Sequence, residues 1–554
     1  MSKHTIFDRK AMAVAIAHQA RPTQTTISRA YRYMLVPPVL PRPQRLLGPS
    51  TAVLVALALG GCASFTADAG LGPAQSVAFT ELGKDISKTT NEAEAIGAQA
   101  RVEQLLRRPL TPESAVQIAL LKNRGLQASF NDLGVSEAQF VQATLPPVPR
   151  LSLESTSGDF SLEVTRQILV SLFQLATLPA RTAVAKSRFQ SAQYRAAEAV
   201  VRLAAEAQRQ YYRTVAANQS VGFLEQALAS AESASILAKS LGETGALNKL
   251  EQAREHAFYV ELGAQLARAR VQQRVEREKL IRQLGVWGRD IDFKLPGSLP
   301  SLPARLVPGK TLEAQALEKR VDLRMSRFDL DALAGQYGLT TAVGYVSAFD
   351  LGYSEVYDRT TTFNVNEAGG VDVSRDKTLR RGIAVDLTIP IYDFGQTAIR
   401  GAQEAYFGAA NRLAQRAVNA RSQVREAYQR YRGNYDLARH YQTTVLPLRK
   451  TIQDQALLQY SGMLIDVTTL IVDARARILS NIQAIEARRD FWIASTDLKA
   501  AIVGGVNMLL SPVPFIGFSQ ARMLSPTGLC RPFSEAADGY VRSEGGVAIV
   551  IERA

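Results

Sequence analysis

ILVSLFQLATL (168–178) and VDLTIPIYDFG (385–395) are one stretch written twice, 217 residues apart. In the first, Ile168, Val170 and Leu172 alternate with their neighbours. In the second, Val385, Leu387 and Ile389 do the same. A period of two with one apolar side predicts a half-covered strand. The same offset pairs Ala185 with Ala402, Phe189 with Tyr406, Ala192 with Ala409, Leu203 with Ala420, Tyr211 with Tyr428 and Gly245 with Gly462. Upstream, SAVQIALLKNRGLQAS (114–129) aligns with TLEAQALEKRVDLRMS (311–326) at a spacing of 197. The second copy therefore carries about twenty extra residues. They fall in SEVYDRTTTFNVNEAGGVDVSRDKTLR (354–380), read as a polar loop between two strands, where the first copy has SGDF (157–160).

Each copy follows one order: a helix (about 111–143; about 310–337), two strands (about 149–156 and 162–173; about 340–352 and 381–392), and a very long helix (about 180–238; about 397–456). A Gly-marked turn and another long helix follow (about 246–284; about 463–502). The long helices carry stripes every three or four residues: Ala185, Phe189, Ala192, Ala196, Ala199, Leu203 in one, and Ala398, Ala402, Ala405, Ala409, Leu413, Ala417, Ala420, Val424, Ala427 in the other. Such coiled-coil spacing built on alanine lets helix axes approach closely. A helix of some sixty residues is roughly 90 Å long at about 1.5 Å per residue, too long for a globule with one core. Four strands cannot close a barrel, which needs about eight or more; three chains would supply twelve. The expected fold class is a mixed α/β membrane protein, a duplicated unit of long α-helical hairpins plus β-hairpins.

Before the repeat stands LALGGCASF (57–65). Arg42 and Arg45 precede an apolar run, Leu46 to Leu59, too short to span a bilayer but long enough for a signal core. Leu59-Gly60-Gly61-Cys62 resembles the bacterial lipoprotein box, which makes Cys62 the expected lipidation site; no other cofactor is expected. Ala63 in place of an aspartate after the cysteine favours the outer membrane. Met34 is read as the true start. Half of the net charge of +14 lies in residues 1–61, which weakens any nucleic-acid reading. No stretch after residue 62 is apolar for eighteen residues, so a membrane-spanning part must be a closed barrel. The organisation expected is a leader at 1–61, a segment at 62–108, repeats at 109–285 and 310–503 joined by 286–309, and a periodless, disordered tail at 504–554 in which Cys530 is a bystander.

With the lipobox at Cys62, LTPESAVQIALLKNRGL (110–126), KRVDL (319–323), IPIYDFGQ (389–396) and YSGMLIDVTTLIVDAR (460–475), residues about 80 to 503 resemble the TolC family of outer-membrane efflux ducts, in their lipoprotein branch. The resemblance implies a homotrimer with a twelve-stranded barrel, four strands per protomer, above an α-helical periplasmic tunnel. It implies a periplasmic membrane-fusion adaptor and an inner-membrane pump, of RND type, as partners, with lipid around the barrel and no nucleic acid. It also implies acids near the second hairpin tip as a gate. Asp473 matches the family's position; the other expected acid is Leu470 here, with Asp466 nearer the turn as substitute. Gln252 is taken as the first-copy counterpart, and the 459–470 turn as about four residues longer than its counterpart. A ring of such carboxylates would attract cations.

Two other classes compete. An enzyme is not expected: no P-loop, HExxH, GxSxG or metal-spaced cysteine pair is present, and His256 and His440 lack partners at helical spacing. A periplasmic coiled-coil adaptor or scaffold lipoprotein would share the helical hairpins but leave the strands unexplained.

Overall fold

The computed structural model describes residues 64–504 apart from 246, 366–370 and 463. Short helix α1 (Gly72–Val77) and a π-turn (Ala78–Leu82) lead to α2 (Glu92–Leu106), started by the Asn91 side chain, which accepts from the Glu94 backbone. The first copy then begins with α3 (Pro112–Lys122), opened by a reciprocal Thr111–Ser114 capping box, and α4 (Arg124–Thr144). Strands β1 (Arg150–Ser157) and β2 (Ser161–Ser171) follow, then α5 (Leu172–Ala176), α6 (Leu178–Glu243) and α7 (Lys249–Leu284). The second copy repeats this as α8 (Leu312–Lys319), α9 (Val321–Ala342), β3 (Ala348–Val365), β4 (Val371–Thr388), α10 (Gln396–His440), α11 (Leu446–Ser461) and α12 (Val467–Val503).

The two offsets read from the sequence return as geometry. Phe140 stacks on Phe189 at 5.4 Å, and their counterparts Tyr337 and Tyr406 stack at 6.4 Å. The leading helix breaks in both copies at one place, Asn123 (ψ 115°) and Arg320 (ψ 121°). The single leading helix expected in each copy is thus two. The extended residue turns the chain, and its side chain then serves the new helix or the core.

α6 is 66 residues, roughly 100 Å, and packs along α7 and against α3, α4, α9 and α12. Of its stripe Phe189, Ala196 and Leu203 are buried and join α1, α3 and α4 in the largest core cluster, with Ala197 and Val200 beside them; Ala185, Ala192 and Ala199 are half-buried. A second cluster joins α8, α10 and α12 around Phe491, and a third lies near the hairpin turns around Phe258 and Ile471. The copies are tied by the buried Arg209–Asp497 pair at 2.6 Å and by Tyr212 stacked on Trp492 at 5.5 Å. The 286–309 segment runs across both: Asn218 donates to the Pro296 carbonyl, Trp492 to that of Pro300 and Tyr435 to that of Pro303.

The strands form one antiparallel four-stranded sheet in the order β1-β2-β3-β4. Its registers align Leu151, Ile168, Tyr353 and Ile383, and one step toward the helices Val170, Leu351 and Val385. Opposed residues share a face, so one face is apolar. The other carries Glu154, Thr165, Gln167, Ser354, Asp358, Arg380 and Asp386. The 354–380 stretch is not the loop that its polarity predicts. It is ladder out to Val365–Val371, because Thr, Val, Tyr and Phe favour the pleated backbone, and its polar side chains lie on both faces of the sheet. At the sheet's base Gly395 starts α10 with φ 75°, where any Cβ would lie 2.2 Å from the Gly344 carbonyl oxygen.

Among the described residues no helix is long and apolar enough to cross a membrane, which says nothing of a β-barrel. Cys62, and all of the 504–554 segment except Gly504, lie outside the described residues.

Candidate functional site

Two places can do chemistry or transport: the helical hairpin tips and the sheet. At the first tip α6 ends at Glu243, Gly245 turns with φ 77°, and Asn248 caps α7 by accepting from the Glu251 backbone at 2.9 Å. At the second, α11 ends at Ser461 and Asp466 caps α12. Its Oδ1 accepts from the Thr469 backbone at 2.8 Å and from the Thr469 hydroxyl at 2.6 Å. Each cap stands five residues beyond the preceding helix, so the second turn is not the longer one.

Equal caps change the pairing of the acids. Asp473 lies seven residues after Asp466, and Glu255 lies seven after Asn248. The counterpart of Asp473 is therefore Glu255, and Gln252 is that of Leu470. Both copies place an acid two turns into the returning helix. Sequence reasoning missed Glu255 because it took the second turn as about four residues longer, which sets Gln252 opposite Asp473; counting from the Asn and Asp caps would have found it.

The environments differ. Glu255 is buried, at 7% exposure, and burial pushes its carboxyl above the ordinary range, opposed by the nearby Arg475. Asp473 is half-buried and makes no hydrogen bond or ion pair among the described residues. Asp466 is exposed, and the Thr469 hydroxyl and then the Thr469 backbone hold its carboxyl below the usual range. Arg475 lies over the Phe258 ring at 5.2 Å and pairs with Glu261 at 3.0 Å, tying α12 to α7. Beside this contact a cavity of about 410 Å³ is bounded by Glu255, Phe258, Gln453, Leu457, Ile471 and Ala474. Asp466, Asp473 and Glu255 thus collect at one end of the helices, as acids at three levels of exposure. Among the described residues no group of three or more His, Cys, Asp or Glu could hold a metal ion.

At the opposite end the sheet's apolar face is uncovered: Leu151 is 74% exposed and Ile383 78%. Strands β1 and β4 present unpaired edges.

This architecture has solved counterparts. The CusC structure aligns with TM-score 0.59 at 14% identity, over 71% of this chain and 92% of CusC. The Campylobacter jejuni CmeC outer membrane channel aligns with TM-score 0.59 at 14% identity, over 80% and 94%. The open-state Neisseria gonorrhoeae MtrE outer membrane channel aligns with TM-score 0.56 at 16% identity, over 72% and 90%. The fold is that of TolC-family outer-membrane channels.

The C-terminal sequence points elsewhere. Residues 483–554 match the beta-ketoacyl synthase N-terminal domain. Over 61 residues the chain is 51% identical to a phenolphthiocerol/phthiocerol polyketide synthase of Mycobacterium tuberculosis, covering 11% of this chain and 3% of that protein. Over 96 residues it is 40% identical to orsellinic acid synthase ArmB of Armillaria ostoyae, covering 17% and 4%. The chain spans only a small fraction of these relatives. The expectation that it is not an enzyme is overturned by this match, which places enzyme-family sequence over residues 483–554. A search for short catalytic motifs could not see it, since the likeness is spread along a whole segment. The match begins within α12, so residues 483–503 belong both to the channel-like fold and to the ketosynthase-like segment.

Proposed function

We propose that residues 64–503 form an outer-membrane duct of a tripartite efflux system. It conducts substrates delivered by an inner-membrane transporter and a periplasmic adaptor. One observation carries this: a four-stranded sheet with one apolar and one polar face and two open edges, mounted on helices roughly 100 Å long. Open edges fail in lipid, and four strands are about half of what the smallest closed barrel needs. Three copies joined β4 to β1 would close twelve strands, apolar side to the lipid and polar side to the lumen. The upper part of α10 supports association as well, since Ala398 and Ala405 of its stripe are exposed in the single chain.

In this reading Cys62 carries a lipid anchor, and Asp473 lines the periplasmic constriction. Asp466 contributes less, because its oxygen is engaged in the cap. Acid rings there favour cations over anions. The test is the native mass of the detergent-extracted particle, with Cys62→Ala beside it. A trimer in the outer membrane is expected, and a soluble monomer or dimer that needs no detergent sinks the duct.

A second reading attaches to residues 483–554, where the polyketide synthase likeness favours a condensing-enzyme segment. A chain ended after Val503 separates the two. It should still assemble in membranes, while any β-ketoacyl-forming activity of the full chain should vanish.

A further inference from the structure

Charged rows interrupt the sheet's apolar face before the apolar pairs Phe363–Val373 and Val365–Val371 at its far end. Moving away from the helices, the row Leu153, Arg166, Glu355, Arg381 crosses it. Glu355 is shared by two guanidinium groups, Arg166 at 3.7 Å and Arg381 at 3.2 Å. Two rows further, Arg359 stands opposite Lys377, and beyond them Arg375 stands opposite Thr361. Arg359, Lys377 and Arg375 are exposed and have no acid in ion-pair contact among the described residues. These rows place five cations against one acid on a single face.

Their height is set by the strand. From Leu387, at the base of the apolar face, to Lys377 is ten residues, about 34 Å along the strand at ~3.4 Å each. At a barrel tilt of about 40° this is about 26 Å of height, and the lipid-facing band of such barrels is about 25 Å tall. The unpaired cations therefore sit at the band's upper margin, level with phosphate groups. The Arg166–Glu355–Arg381 row lies below, where sharing one acid lowers its cost and long side chains can reach upward.

We propose that Arg359, Lys377 and Arg375 form a binding row for the phosphates of anionic lipid headgroups at the membrane surface on the hairpin-turn side. The inference rests on reading the sheet as a membrane barrel wall. It explains why a face suited to hydrocarbon carries three unpaired cations at this height, before the apolar pairs Phe363–Val373 and Val365–Val371 at the hairpin turn, when solubility alone would be served by either sign.

The test uses the full chain, wild type and R359Q/R375Q/K377Q. Each is reconstituted into vesicles of phosphatidylcholine with or without phosphatidic acid, and the lipid retained after detergent extraction is read by native mass spectrometry. Each cation near the surface is worth roughly a fivefold preference, so the wild type should prefer phosphatidic acid by about a hundredfold, and the triple variant should lose most of that. R359K/R375K should keep it. If the triple variant loses its helical circular dichroism, K377Q alone is read, with about a fivefold loss expected. A chain that inserts but retains both lipids equally overturns the proposal and leaves the barrel intact. A chain that inserts into neither vesicle removes the barrel reading and the proposal with it. Equal displacement by inorganic phosphate makes the row a free-anion site and overturns its assignment to lipid.

Discussion

The two copies of the repeat hold the same positions with different chemistry. At the helix break the first copy uses Asn123, whose oxygen accepts from the Leu126 backbone and whose amide donates to the Gln283 carbonyl. The second uses Arg320, only 2% exposed, forked onto Asp322 at 3.0 and 2.8 Å and bonded to Gln423 at 2.8 Å. At the stack, Phe189 is buried and Tyr406 half-exposed. At the tip a neutral Asn248 faces an ionisable Asp466, and a buried Glu255 a half-buried Asp473. The strand hairpin is 8 and 11 residues in the first copy and 18 and 18 in the second. Backbone geometry survived the duplication, and the side chains that satisfy it diverged. Each copy leaves one strand edge open, β1 in the first and β4 in the second, and the second copy's longer strands expose more of their faces.

The break gives the sharpest contrast. Arg320→Ala leaves Asp322 buried without its partner and should cost about 3–5 kcal/mol. Asn123→Ala removes a cap and should cost about 1 kcal/mol. Chemical unfolding in detergent, followed by circular dichroism, measures both; equal losses would break the comparison.

The stacks come next. Phe189→Ala should cost about 3 kcal/mol by opening a cavity in the main core. Tyr406→Ala, half-exposed, should cost about 1 kcal/mol in the isolated chain. A cost for Tyr406→Ala that rises on assembly would show that other copies cover this face.

The tips differ in their response to pH. The Asp466 carboxyl is held low when folded, so its cap stabilises above the unfolded value near 3.9 and weakens as pH falls through the lower folded value. Amide exchange of the first turn of α12 should quicken in that window, and that of α7 should not; Asp466→Asn should remove the difference. Glu255 has the opposite sign. Its raised folded value opposes folding at neutral pH, and this penalty lifts as pH falls toward the unfolded value near 4.3. Glu255→Gln should raise the neutral-pH midpoint, with the gain fading in acid.

The smallest effect concerns the sheet. Asp350 and Asp386 stand directly opposite on the polar face, and one Asp350 oxygen is buried without a hydrogen-bond partner among the described residues. Asp386→Asn should gain a few tenths of a kcal/mol, read as a small rise in melting midpoint.

What the sequence determined by itself was what repeats. The 217 and 197 offsets, the period-two strands and the alanine stripes fix the element order, because periodicity records which side of an element is covered. It also carried the enzyme-family likeness of residues 483–554, legible by comparison with relatives though not by motif. Tertiary structure alone decided the pairings that single residues make across distance. It set the tips in register from their caps and so matched Glu255 to Asp473. It turned an apparent loop into the longest strands, since a polar strand differs from a loop only once a neighbour accepts its hydrogen bonds. And it buried Arg320, a residue whose charge predicts exposure, because Asp322, Gln423 and the Ala501 carbonyl meet it from three different helices.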